Sequence, residues 1–134
     1  MEEGVIKFKL DFSRAGPVDM QPLAELNQWR TILWQQALIG QDPARYEGYG
    51  FGNVSQRIGS DDAARGKRCF VISGTQTGHL PELDNTHYTL VRTYDAASNA
   101  VSATGPIKPS SESLTHGRIS DLDNAIRIVL HVPS

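Results

Sequence analysis

The stretch Gly105-Pro106-Ile107-Lys108-Pro109-Ser110-Ser111-Glu112-Ser113-Leu114-Thr115-His116 constrains this chain most. Two prolines stiffen an approach, two adjacent hydroxyls follow, and a carboxylate stands where the first turn of a helix should be. Backbone N–H groups are unpaired at a helix start, so such a turn suits an anion. A carboxylate beside a bound anion serves as a proton acceptor once its pKa is tuned. The same residues also make an ordinary helix cap. On the stretch alone both readings stand.

The remaining pattern decides which elements surround that turn. Val5 to Phe12 alternates apolar and charged residues from Ile6 onward, the period of a strand with one wet face, near a sheet edge. Gly16-Pro17 ends it, and Asp19 caps a helix beginning between Met20 and Pro22. Leu23, Leu26, Leu33, Trp34, Ala37 and Leu38 form its apolar face, with Gly40 just past the end. Trp29 and Trp34 read as core or interface anchors. Further strands are expected over Val54–Ile58, Arg68–Ser73, His87–Tyr94, Ala100–Ala103 and Ile126–Val132, with a short helix over Ser111–Ser120. Pro81-Glu82-Leu83 is a candidate for one helical turn.

Two polar loops join these strands. Gly48, Gly50 and Gly52 fall within five residues, which excludes a helix and permits close approach of the backbone to something else. Asn53 follows and can donate its amide N–H to an oxyanion. Gly74-Thr75-Gln76-Thr77-Gly78 can turn several N–H groups and a threonine Oγ toward one anion. Each is also readable as a plain turn. Both loops and the Ser110 turn flank strands, so they are expected to gather at one end of a sheet, where sites in layered α/β folds form.

Composition narrows the function classes. With 134 residues the chain is one domain, and a formal charge of −2 gives no electrostatic case for nucleic acid or an anionic membrane. No apolar run approaches the roughly 18 residues that span a bilayer. Met1-Glu2-Glu3-Gly4 lacks the order of a secretion signal, and the single Cys69 excludes an internal disulfide, so a cytoplasmic protein with a buried, inert thiol is expected.

Gly52-Asn53-Val54-Ser55, Thr77-Gly78, Lys108-Pro109-Ser110-Ser111-Glu112 and Val129-Leu130-His131-Val132, in this order, resemble the class II aldolase/adducin family. Leu114-Thr115-His116 is similar to the helix that follows Ser-Ser-Glu there. The resemblance covers about residues 46–134, and the strand and helix within 5–40 fit an extended subgroup. It implies a three-layer α/β/α fold with a mixed, mostly antiparallel central sheet, here incomplete at its C-terminus. It also implies a fuculose- or ribulose-phosphate-type lyase or epimerase, with Glu112 as acid/base and Asn53, Thr77, Gly78, Ser110 and Ser111 on the anion. Ser73-Gly74 is an alternative for the Thr77-Gly78 place, which the spacing to Leu83 and Tyr88 favours. A homo-oligomer and a small anionic sugar-like substrate belong to the same implication.

The resemblance implies Zn²⁺ held by three histidines, two of them as His-x-His on a strand. His131 is the first such ligand, and Pro133 stands where the second should be. Proline offers no ligand, and catalytic zinc usually has three protein ligands. Weak or absent zinc binding is therefore expected. The alternatives to an enzyme are a non-catalytic adducin-like binding or assembly module, or a truncated remnant. Ile126–Val132 is expected to be an exposed apolar edge.

Overall fold

The computed structural model describes residues 8–60 and 62–133. Val5–Lys7, where the first strand was expected to start, lie outside the described residues. The strand runs over Lys9–Arg14 (β1), with Leu10 and Phe12 turned toward the core and Lys9 and Asp11 toward water. Asp19 Oδ1 accepts the Gln21 N–H, and a 3-10 turn at Gln21–Leu23 leads into α1, Ala24–Gln35. The helix stops short of the expected Leu38 because Ala37 takes a left-handed φ of 59°. Leu38 N–H then reaches back to Leu33 O and Ala37 N–H to Trp34 O, closing the end as a glycine C-cap would.

Two short strands, β2 (Gly40–Gln41) and β3 (Gly50–Phe51), pair antiparallel beside the first glycine-rich segment. Then come β4 (Asn53–Arg57), β5 (Phe70–Ser73), β6 (Tyr88–Asp95) and β7 (Ala100–Gly105), helix α2 (Ser113–Ser120) and β8 (Ile128–His131). The expected strands are all present, with ends shifted by up to two residues. Pro81–Leu83 forms bends rather than a helical turn.

The main sheet has the order β1-β7-β6-β5-β4-β8. β4 to β7 run as an antiparallel meander, β8 adds antiparallel to β4, and β1 adds parallel to β7. The sheet is thus mixed and mostly antiparallel, with one helix over each face. Alternation along β5 shows the division: Val71 joins Leu23, Leu26, Val54 and Tyr88 under α1. Phe70 and Ile72 join Val91, Tyr94 and Val101 on the α2 side. Trp34 packs partly buried against the first cluster, whereas Trp29 is 45% exposed and anchors no core. Cys69 is a free, half-buried thiol rather than a buried one, because it sits just before β5 enters the core.

β8 is an edge strand that leaves Ile128, Leu130 and Val132 exposed, as the apolar run suggested. Across the α2 face, buried Arg57 donates to Ser120 O at 2.8 Å and Asn124 O at 2.7 Å. It thereby satisfies carbonyls that the end of α2 leaves without intrahelical partners.

Gly117 fixes how closely α2 approaches the sheet. A Cβ there would lie 2.4 Å from Tyr94 Cδ2. Alanine normally improves a helix by about 1 kcal/mol over glycine. Here overpacking should win: Gly117→Ala is expected to destabilise the fold by about 1–3 kcal/mol in denaturant titration. A more stable variant would show that α2 is free to move off Tyr94.

Candidate functional site

The three polar segments meet at one end of the sheet. A small cleft with about 20 Å³ of enclosed space is lined by Gly50, Gly52, Asn53, Gly74, Thr75, Gln76, Thr77, Gly78, Ser110 and Ser111. Every substrate-binding residue anticipated from the sequence lies on this wall. An isolated antiparallel bridge between Gly74 and Pro109 joins the second loop to the Ser110 turn. Thr75 N–H donates to Lys108 O at 2.9 Å and Ser110 N–H to Ser73 O at 3.2 Å. The prolines before Ser110 therefore present a strand-like approach that zips onto β5.

The glycines bring backbone against backbone. Gly52 has φ +86°, and a Cβ there would sit 2.5 Å from Ile39 Cγ1. At Gly78 a Cβ would be 2.8 Å from both Gly40 O and Phe51 N. Their close approach is thus to neighbouring protein segments, and the cleft forms beside that contact. Gln76 turns the second loop through a left-handed φ of 59°, a conformation that costs a non-glycine residue roughly 1–2 kcal/mol.

Donor by donor, the wall is suited to an anion. Ser110 Oγ accepts the Glu112 N–H at 3.1 Å, which makes a turn ahead of α2 rather than the anticipated side-chain cap, and the serine proton is still available to the cleft. The backbone N–H groups of Thr77, Gly78 and Ser111 meet no acceptor among the described residues. Thr77 Oγ1 behaves differently from the sequence expectation: its proton goes to Gly74 O at 2.9 Å, so Thr77 offers its backbone instead. No charged side chain lines the cleft.

Glu112 follows Ser111 directly but does not line the cleft. It is 5% exposed, and its carboxylate accepts no hydrogen bond among the described residues. His131 lies in register with Asn53 on the edge strand. Its Nδ1 is the one buried side-chain polar atom without a partner among the described residues. The zinc implied by the resemblance needs about three protein ligands, and the described residues bring together no group of three or more candidate donors. The described residues therefore do not fit that ion.

Three functional side chains escaped the sequence reading. Arg30 of α1 is 1% exposed and donates to Leu80 O at 2.5 Å and Thr77 O at 2.9 Å, so it holds the second loop from below. Burial lowers its pKa from the ordinary arginine value, with Tyr88 opposing. Its place four residues after Leu26 and four before Trp34, on the apolar face, was the available signal. Arg57 lies at the end of β4 with inward parity, which gave a weaker hint. His116 was read only as part of the helix that follows Ser-Ser-Glu. It is 1% exposed and bridges Ser55 Oγ at 2.6 Å and Asn53 Oδ1 at 2.5 Å, with the Phe70 ring stacked alongside.

Burial, with a smaller contribution from His131, pushes the His116 pKa down to about 3. Unfolding restores an ordinary value near 6.5, so the unfolded chain binds the extra proton between these two values. This contribution to stability is complete above about pH 6.5 and is lost as the pH falls toward 3. Between pH 7 and pH 5 the loss should be about 2 kcal/mol. Denaturant unfolding at both pH values, with His116→Gln as reference, measures it; equal slopes in both proteins would contradict it. No family model matches the chain, and no curated protein or solved structure does, so the functional reading draws on this geometry and on the motifs.

Proposed function

We propose that the cleft holds the anionic group of a small sugar-phosphate-like substrate, in a class II aldolase-like protein of carbon–carbon lyase or epimerase type. The observation that carries the reading is the convergence of unpartnered donors. Ser110, Thr77, Gly78 and Ser111 line one small polar cleft, and the N–H groups of the last three meet no acceptor among the described residues. The enclosed space of about 20 Å³ takes an oxygen of the anionic group, and the rest of the substrate would extend outward. Neutral donors of this kind recognise an oxyanion by directed hydrogen bonds, without a resident cation. A helix on each face of a mixed sheet agrees with the three-layer arrangement that the resemblance implies.

Glu112 is the acid/base in this reading. Its carboxylate accepts no hydrogen bond among the described residues and follows Ser111 of the cleft wall, which leaves it available to a substrate hydroxyl or an activated C–H. His131 is the position that corresponds to a metal ligand in the resemblance, and no step of this reading passes through a metal. Exposed Ile128, Leu130 and Val132 on the edge strand support a homo-oligomer as part of the same proposal. The single free thiol accords with the cytoplasmic setting.

A second reading is a non-catalytic, adducin-like binding or assembly module. One specific observation favours it: His116, the imidazole nearest His131, is fully engaged by Ser55 and Asn53 and so is unavailable as a ligand. In that case the cleft binds an anion without chemistry.

Calorimetric titration with inorganic phosphate tests the shared core of both readings. Ser110→Ala is expected to weaken binding about tenfold or more, the value of one hydrogen bond to a charged group. Trp29→Ala, on the far helix, should leave it unchanged. Equal affinity in wild type and Ser110→Ala would refute the cleft assignment. Deuterium exchange into a small ketose phosphate then separates the readings, since the enzymatic one requires exchange that Glu112→Gln abolishes.

A further inference from the structure

We infer that His116 is a positioning residue: it holds the Asn53 carboxamide with Oδ1 turned inward, so that the Nδ2 amino group faces the cleft as a donor. The inference rests on the cleft being the ligand site and specifies the sign of ligand that Asn53 selects.

Two proton arrangements are compatible with the chain Ser55–His116–Asn53. In one, Ser55 O–H donates to Nδ1 and Nε2–H donates to Asn53 Oδ1. In the other, the imidazole is turned to the Nδ1–H tautomer, Ser55 Oγ accepts, and the amide is flipped so that Nδ2 donates to Nε2. Ser55 decides between them. It is 3% exposed, and His116 is its hydroxyl's sole hydrogen-bond partner among the described residues. The second arrangement would bury the Ser55 hydroxyl hydrogen without an acceptor, at a cost of roughly 1–3 kcal/mol. The first satisfies it and leaves over only the Asn53 amino group.

That leftover group has an outlet. Asn53 lines the cleft, and its Nδ2 is not among the buried side-chain atoms that lack a partner. The residue is otherwise 5% exposed, with its backbone paired to β8, so the amide has little freedom except rotation about its own axis. His116 Nε2–H removes that freedom. The burial that keeps His116 neutral also keeps one ring nitrogen as donor and the other as acceptor, which the relay needs. With Nδ2 facing out, Asn53 adds a donor to a cleft lined by Ser110, Thr77, Gly78 and Ser111, which favours an oxyanion over a cation.

Long-range ¹H–¹⁵N correlation spectra of the wild-type protein at pH 7 read the tautomer directly. The inference requires a protonated Nε2 and a bare Nδ1 on His116; the opposite tautomer overturns it and leaves the cleft reading standing. Phosphate titration of variants supplies the second arm. His116→Phe and Asn53→Ala should each weaken binding about tenfold, the double variant no further, and His116→Gln, which keeps an amide donor near Nε2, should retain most of the affinity. Additive losses in the double variant overturn the positioning role. If wild type carries the Nε2–H tautomer but binds no phosphate, the cleft reading fails and the ligand consequence drawn here fails with it. Should His116→Phe not fold, the wild-type spectrum and the His116→Gln titration still decide.

Discussion

A neutral imidazole set between two core layers ties helix α2 to strand β4. His116 bonds Ser55 and Asn53, which lie two residues apart and therefore on the same face of β4. Those contacts fix the rotation of α2, and Gly117 next to it sets the depth at which the helix meets Tyr94. The start of α2 is then fixed in turn, and with it the Ser110 turn that forms one wall of the cleft. A polar group so placed is costly unless fully bonded, and both ring nitrogens have partners.

Two buried arginines complete the frame by the same logic. Arg57 gathers carbonyls beyond the end of α2, and Arg30 gathers those of Thr77 and Leu80. Each guanidinium replaces water with main-chain oxygens that their loops would otherwise bury unpaired. The loop at 74–78 is thereby held with the Thr77 carbonyl toward Arg30, while the N–H groups of Thr77 and Gly78 find no acceptor among the described residues. The proposed anion site is thereby preorganised by the fold's own hydrogen-bond needs.

Much of this was legible in the sequence because it is periodic or local. Alternation gave β1, apolar runs gave β5 and β8, and helical spacing gave α1, since burial imposes those periods directly. The cleft wall was legible as well: glycine and hydroxyl loops beside strands converge once the strands pair. The illegible parts depend on which distant group a side chain meets. Thr77 looked like a hydroxyl donor, but Gly74 O lies within its reach. Ala37 does at the end of α1 what Gly40 was expected to mark. His116 read as part of the helix after Ser-Ser-Glu, and only the packing of α2 on β4 shows its two partners.

The central claim is that the donors of the 50–53, 74–78 and 110–111 segments act together on one anion. Backbone amide spectra of the full chain during a phosphate titration address it most directly. Saturable shifts of Thr77, Gly78 and Ser111 that follow one common binding curve, with Trp29 unmoved, are the result the account predicts. Shifts that never saturate, or that centre on residues away from these three segments, would contradict it.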